Sequence, residues 1–214
     1  MDTTQTGTDV PWESIQVVSL DVDGTLYDAR PVIRRFLWFV FLKFITLQFE
    51  LVFGELKSLI RAYQDRKRIH KHRGDYRFEV DPDVRSRTLE CTSRFIAPQI
   101  ARQGLRPGVR QTILKLKEQG FKVVALSDYY SDAKLRCLGV HTLFDAVYAA
   151  ESTGHLKPHP TGFLAVCRGE GIEPRQLLHV GDRDETDGVG ARKAGASSLI
   201  LSKDFDDFLE FPLL

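Results

Sequence analysis

The second half of the chain alternates between short apolar runs and segments in which apolar residues recur at helical spacing. The short, largely apolar runs predict strands at 17–20, 121–126, 144–148, 177–180 and 197–201. Helical spacing predicts helices at 108–119, 132–138, 161–170 and 186–194, each followed by a glycine. This alternation predicts an α/β fold, a Rossmann-like, doubly wound parallel sheet with helices on both faces.

Residues 30–100 follow a different pattern, because their apolar positions have helical spacing and no strand signal interrupts them. We therefore predict a core domain formed by residues 1–29 and 104–214, with a helical cap inserted at residues 30–103.

The most apolar part of the insertion, residues 36–53, allows three interpretations. A membrane span is disfavoured, because Lys43 and Glu50 lie inside these 18 residues and would be buried in lipid. A buried cap helix or a dimer surface is favoured, so we expect a monomer or a homodimer. Contact with a membrane surface is the weaker alternative, supported by the basic stretch at 57–77.

Composition indicates a globular protein of the cytoplasm. Apolar residues make up 43% of the 214, and the formal net charge is +1, so we expect no nucleic-acid partner. The cysteines (Cys91, Cys137 and Cys167) lack metal-type spacing and are predicted to be reduced, with Cys137 and Cys167 in the core. The first ten residues have neither a basic start nor an apolar run, so we predict no signal peptide.

Chemically active side chains follow four of the predicted strands. Asp21 and Asp23 come directly after the first strand, and Gly24 lets the backbone turn sharply there. Ser127 follows the second strand, Lys157 comes after the third, and an acidic cluster containing Asp182 and Asp187 follows the fourth. Because ligands of open α/β sheets bind at the carboxyl ends of the strands, we expect these residues to converge on one crevice.

This set of side chains suits phosphoryl transfer. Asp21 would attack phosphorus and form an aspartyl-phosphate, and Asp23 would protonate the leaving alcohol and later deprotonate a water molecule. Mg²⁺ prefers oxygen ligands and would offset the repulsion between carboxylate and phosphate. Lys157 would neutralise further charge, and Ser127 would hydrogen-bond a phosphoryl oxygen. A calcium loop is excluded, because its twelfth position, normally glutamate, is Val32.

The four elements, in this order, resemble the motifs of the haloacid dehalogenase-like hydrolase superfamily. The resemblance covers residues 15–27 and 104–201, and it is strengthened by phrases such as Arg106-Pro-Gly-Val109 and Lys157-Pro-His-Pro160. It implies a phosphatase with a helical cap of the first cap type, since an aspartate at the position of Asp23 is absent from dehalogenases.

The resemblance also implies a role for each matching residue. Asp21 is the nucleophile and Asp23 the acid/base, while Ser127 and Lys157 hold the phosphoryl group. Mg²⁺ is bound by Asp21, by the backbone carbonyl of Asp23 and by Asp182, with Asp187 supporting through water or through Lys157. We count Gly24, Thr25, Ser127, Asp128 and Lys157 as the phosphate-binding residues.

One position departs from the family pattern, because Asp128 stands where asparagine usually follows the serine. Its carboxylate would either weaken phosphate binding or face away and leave only the backbone N–H in use. The sequence therefore predicts a Mg²⁺-dependent phosphatase acting on a small phosphorylated metabolite. A phosphomutase of the same family, or a catalytically weak scaffold whose cap binds a partner or a membrane surface, are the alternatives.

Overall fold

The structure, a computed structural model, describes residues 10–45, 93 and 96–212 of the chain. Most of the predicted cap, including the basic stretch at 57–77 and Cys91, lies outside the described residues. The boundaries proposed for the two domains accordingly stay a prediction.

A five-stranded parallel sheet forms the centre of the molecule. Its strands are β1 (Val17–Leu20), β2 (Lys122–Ser127), β3 (Ala146–Ala149), β4 (Leu177–Gly181) and β5 (Ser197–Ile200). They lie in the order β3-β2-β1-β4-β5, so β1 is central and pairs with both β2 and β4. The predicted α/β class and parallel sheet are confirmed, although β2 and β3 begin one and two residues later than predicted.

Six α-helices accompany these strands in the described part of the chain. They are α1 (Ala29–Ile45), α2 (Ala97–Gln103), α3 (Val109–Glu118), α4 (Asp132–Cys137), α5 (Thr161–Glu170) and α6 (Val189–Ala194). A π-helical turn, Asp184–Gly188, precedes α6, so the last predicted helix begins two residues earlier and with wider winding.

Alternation along the strands divides the core into two layers. Val18 and Leu20 of β1 pack on one face of the sheet with residues of α3 and α4, while Val17 packs on the other with residues of α5 and α6. The first layer also contains three aromatic side chains from the C-terminal segment, a contribution that the sequence did not predict: Phe205, Phe208 and Phe211.

The chain leaves the sheet after β1 and returns before α3 at neighbouring points. The Arg106 backbone N–H donates to the Leu26 carbonyl oxygen at 2.8 Å. Helix α2 packs against both α1 and α4, which joins the insertion to the core beside the end of β2. Among the described residues, no helix combines the length and apolar character that crossing a membrane requires.

The prediction for the two cysteines was half right. Cys167 is buried against the second core layer, as expected. Cys137 is exposed, because it lies beside the exposed Arg136 on the outward side of the short helix α4, whose buried residues are Lys134 and Leu135.

Candidate active site

Three neighbouring strands bring the predicted residues to one edge of the sheet. Asp21 follows β1, Ser127 is the last residue of β2, and Asp182 follows β4. Asp21 and Ser127 are almost fully buried, at 5% and 1% exposure. Parallel pairing in register places these strand ends side by side, so the structure brings the predicted residues together at this edge.

A buried lysine links two of the predicted acids. Lys157 Nζ lies 2.6 Å from Asp21 Oδ1 and 2.6 Å from Asp187 Oδ1. All three side chains are at most 7% exposed. Water cannot screen these charges, so their interaction is much stronger than that of a surface ion pair.

Burial and charge shift the pKa values of this cluster in opposite directions. Burial raises the pKa of Asp21 to about 7, with a further increase from Asp187, and Lys157 only partly opposes this. Burial acts to lower the pKa of Lys157, but Asp187 and Asp21 outweigh it and hold that pKa above its usual value. Burial also opposes ionisation of Asp187, yet Lys157 and His179 keep its pKa well below the usual range. Within the cluster, the pKa of Asp187 is therefore shifted down and that of Asp21 is shifted up, so a proton is held more readily on Asp21 than on Asp187.

His179 supports Asp187 from below the crevice. Its Nε2 lies 3.3 Å from Asp187 Oδ1, and its Nδ1 lies 2.8 Å from Ser19 Oγ. Complete burial lowers the pKa of His179, so the ring is neutral. A neutral ring can donate from Nε2 and accept at Nδ1, which satisfies both contacts and indicates a structural role for this histidine.

Three carboxylates at this edge could hold a cation. Asp21, Asp182 and Asp187 each offer one oxygen, and these oxygens lie within 4.8 Å of one another. Asp182 Oδ1 is buried and has no hydrogen-bond partner, and burial together with Asp187 raises the pKa of Asp182. A buried oxygen without a donor is costly unless something binds it, and an all-oxygen set is what Mg²⁺ prefers. The residues present therefore fit the predicted Mg²⁺.

The turn after β1 is shaped by Gly24 and fastened by Arg106. Gly24 has a φ of +100°, and a Cβ at this position would clash with the Asp182 carboxylate. Arg106 donates to the Gly24 carbonyl oxygen from both Nε and Nη2, at 3.1 and 2.9 Å. The glycine thus allows the first and fourth motifs to approach closely, and the arginine ties the turn to the returning end of the insertion.

Two further predicted residues have partners other than a ligand. Thr25 Oγ1 donates to Asp21 Oδ2 at 3.1 Å, which orients the proposed nucleophile. Asp128 Oδ1 accepts from the Lys157 backbone N–H at 2.9 Å. One carboxylate oxygen of Asp128 is thus bound to the loop that carries Lys157, which favours the possibility that this carboxylate faces away from the phosphoryl group.

Asp23 has two partners that sequence reasoning missed. Its Oδ1 accepts from the Tyr27 hydroxyl, and its Oδ2 accepts from Lys134 Nζ at 2.5 Å. Tyr27 lies four residues after Asp23, but this spacing by itself does not indicate a hydrogen bond between the two side chains. Lys134 lies 111 residues away on α4, and no local signal distinguishes it from a surface lysine.

Comparison with known proteins decides the family. The model of the haloacid dehalogenase-like hydrolases matches residues 15–195. The chain belongs to this family. The prediction of an enzyme, a hydrolase of this family, is thereby confirmed.

Named relatives and solved structures agree with this assignment. A glyceraldehyde 3-phosphate phosphatase from Methanopyrus kandleri is 29% identical over 191 residues, which are 85% of this chain and 81% of the relative. A phosphoglycolate phosphatase from Haemophilus influenzae is 32% identical over 96 residues, 44% of this chain and 42% of the relative. The crystal structure of a predicted phosphoglycolate phosphatase from Haemophilus somnus 129pt superposes with a TM-score of 0.64 at 23% identity, covering 91% of this chain and 95% of that one. This last likeness confirms the fold.

Proposed function

We propose that this hydrolase is a Mg²⁺-dependent phosphatase that cleaves a small phosphomonoester through an aspartyl-phosphate on Asp21. The observation that carries the proposal is the buried cluster in which Lys157 contacts both Asp21 and Asp187, beside an Asp182 oxygen that has no hydrogen-bond partner and only a 3.9 Å contact with Arg183 Nε. The family and the phosphatase names of the relatives support the reaction class.

In the first half-reaction, Asp21 acts as the nucleophile. Its carboxylate oxygen forms a bond to phosphorus while the bond between phosphorus and the leaving oxygen breaks. Asp23 transfers a proton to the leaving oxygen, because an alkoxide is a poor leaving group and an alcohol departs more easily. The Thr25 hydroxyl keeps Asp21 oriented, and Lys157 compensates charge on the phosphoryl oxygens.

In the second half-reaction, the roles reverse. Asp23 removes a proton from a water molecule, which attacks the aspartyl-phosphate, and Asp21 is released together with inorganic phosphate. Asp21, the backbone carbonyl of Asp23, and Asp182 would hold Mg²⁺, which when bound offsets the negative charges of carboxylate and phosphate. Ser127 and backbone N–H groups of Gly24, Thr25 and Asp128 are the proposed donors to the phosphoryl group.

Phosphate release with a panel of small phosphorylated metabolites tests this proposal. Wild-type protein should release phosphate with Mg²⁺ and stop when the metal is chelated. Asp21→Asn and Asp182→Asn should each be inactive. Asp184→Asn is the matched control, because Asp184 lies on the neighbouring turn and is paired with Arg192 and Lys203 rather than with the cluster. Equal turnover by Asp21→Asn would sink the nucleophile assignment.

Product analysis separates the phosphatase from the alternative phosphomutase. A phosphatase yields inorganic phosphate and free alcohol, whereas a mutase returns the phosphoryl group to a second position of a sugar phosphate. Acid quenching during turnover should trap phosphate on Asp21 in either case.

A second candidate function rests on an exposed apolar face of α1. Five large side chains of this helix are 43–60% exposed, namely Ile33, Leu37, Trp38, Phe41 and Leu42. Arg34, Arg35 and Arg102 line a groove along this face, and among the described residues that line it none is acidic. We propose that this face contacts an anionic membrane surface, since arginines at a two-fold contact between two copies would lie near one another and repel.

Vesicle flotation tests this contact. Binding should require anionic lipid, weaken with salt and fall in Trp38→Ser, while Leu209→Ser, which alters an exposed leucine elsewhere, should bind normally. Flotation with zwitterionic lipid alone, or a concentration-dependent dimer without flotation, would contradict it. The cytoplasmic location, the oligomeric state and the absence of a nucleic-acid partner stay predictions.

A further inference from the structure

Both carboxylate oxygens of Asp23 are held by side chains that lie outside the four motif elements. The Tyr27 hydroxyl donates to Oδ1, and Lys134 Nζ donates to Oδ2 at 2.5 Å. Tyr27 is only 3% exposed, so its ring is anchored by packing in the first core layer. A carboxylate bonded through each oxygen to a separate, anchored donor is restricted to one orientation.

Lys134 is placed for this contact rather than for solvent. The side chain is 11% exposed, and it lies on α4, which packs against α2 at the returning end of the insertion. A buried ammonium group is costly unless a carboxylate compensates it. In the described part of the chain, Asp23 provides that compensation.

We propose that Lys134, together with Tyr27, is a positioning residue for Asp23. It keeps the Asp23 carboxylate in the orientation from which a proton passes to the leaving alcohol and returns from water. This inference rests on the proposed function, because it assumes that Asp23 is the acid/base. The competing role for Lys134 is structural, the attachment of α4 to the end of β1.

The two roles differ in how they depend on the leaving group. When an alkyl phosphate reacts, the proton of Asp23 moves to the alcohol oxygen as the phosphorus–oxygen bond breaks. When 4-nitrophenyl phosphate reacts, the stable aryl oxide departs without that proton. Misplacing Asp23 should therefore slow alkyl esters selectively, whereas general destabilisation of the enzyme should slow every ester equally.

The experiment compares kcat/KM across an alkyl phosphate, phenyl phosphate and 4-nitrophenyl phosphate. In Lys134→Met we expect kcat/KM to fall about tenfold or more for the alkyl ester, which is a part of the full contribution of a general acid to the rate. For 4-nitrophenyl phosphate we expect kcat/KM to fall less than about threefold. Tyr27→Phe, which removes only a hydroxyl, should change the series in the same direction. Lys134→Arg should recover part of the loss with the alkyl ester.

Two reference variants make the outcomes distinct. Lys122→Met breaks a surface ion pair with Glu170 and should leave the series unchanged. Asp23→Asn should show the same selectivity in stronger form.

If Asp23→Asn is selective but Lys134→Met and Tyr27→Phe slow all three esters equally, or speed the alkyl ester, the positioning role is overturned and the proposed function stands. If Asp23→Asn itself is not selective, the acid/base assignment fails and the inference fails with it. Should Lys134→Met not fold, Tyr27→Phe decides the question.

Discussion

Replacing Gly24 by alanine would impose two separable costs. The first is backbone strain, because a φ of +100° is unfavourable for any residue with a Cβ and costs about 1–3 kcal/mol of folding free energy. The second is a clash, since the new Cβ would lie 2.7 Å from Asp182 Cγ, whereas ordinary contact begins at 3.4 Å.

The clash predicts a loss of activity whose size follows from the displacement. The Asp182 carboxylate must retreat by at least the difference between those distances, about 0.7 Å. A misplacement of about 1 Å at a catalytic site can cost about 100-fold in rate, so we expect a fall between about tenfold and 100-fold. Because Asp182 is a proposed Mg²⁺ ligand, the variant should also need more Mg²⁺ for half-maximal activity.

Gly120→Ala is the matched control. Gly120 has a φ of +90°, and a Cβ there would meet nothing within 4 Å. Urea unfolding should show a similar loss of stability in both variants, while phosphate release with titrated Mg²⁺ should be impaired only in Gly24→Ala. The reasoning is refuted if Gly24→Ala has the activity and Mg²⁺ requirement of Gly120→Ala.

Three further predictions concern the charged cluster. Lys157→Met should lower the unfolding free energy measured in urea by about 3–5 kcal/mol, because Asp21 and Asp187 lose their buried counter-charge. A loss below about 1 kcal/mol would contradict the view that these buried ion pairs depend on each other for stability. Asp128→Asn should retain activity within a few-fold, because an amide oxygen can still accept from the Lys157 N–H, whereas Asp128→Ala should be clearly less active; equal effects would show that the charge of Asp128, not its hydrogen bond, matters. The pKa of Asp21, raised from 3.8 to about 7, means that the folded protein keeps a proton that the unfolded chain loses, so this group's contribution to stability falls as pH rises from about 4 to about 7. Metal-free Asp21→Asn should therefore gain thermal stability over the parent between pH 5 and pH 8, and parallel melting curves across that range would be inconsistent with the raised pKa.

Local pattern was sufficient for most of the core. Strand β1 and helix α5 were predicted with the observed boundaries, because a buried parallel strand needs an apolar run and a packed helix needs helical spacing. The same logic was too coarse at the start of α6, where the wider π-helical turn occupies Asp184–Gly188. It misplaced Cys137, since apolar spacing in so short a helix does not show which side meets the core, and in α4 the buried side carries Lys134 and Leu135.

The candidate site was predictable in membership but not in its internal contacts. Strand order puts Asp21, Ser127 and Asp182 at one edge of the sheet, and motif order identifies them in the sequence. The sequence left open whether Asp128 faces a ligand or the neighbouring loop, and the hydrogen bond that it accepts from the Lys157 N–H favours the loop.

By itself, the sequence determined the parallel α/β core, the family and the acids at the strand ends, because each depends on residues close together in the chain and on the regular geometry of strands and helices. Only the tertiary structure decided which charges meet. Lys157 reaches Asp21 across 136 positions and Lys134 reaches Asp23 across 111. Such contacts arise when α4 and the loop after β3 pack against the sheet, and burial then strengthens them by excluding water. The aspartate pair of the first motif acquires different partners in this way, with Asp21 beside Lys157 and Asp23 between Tyr27 and Lys134.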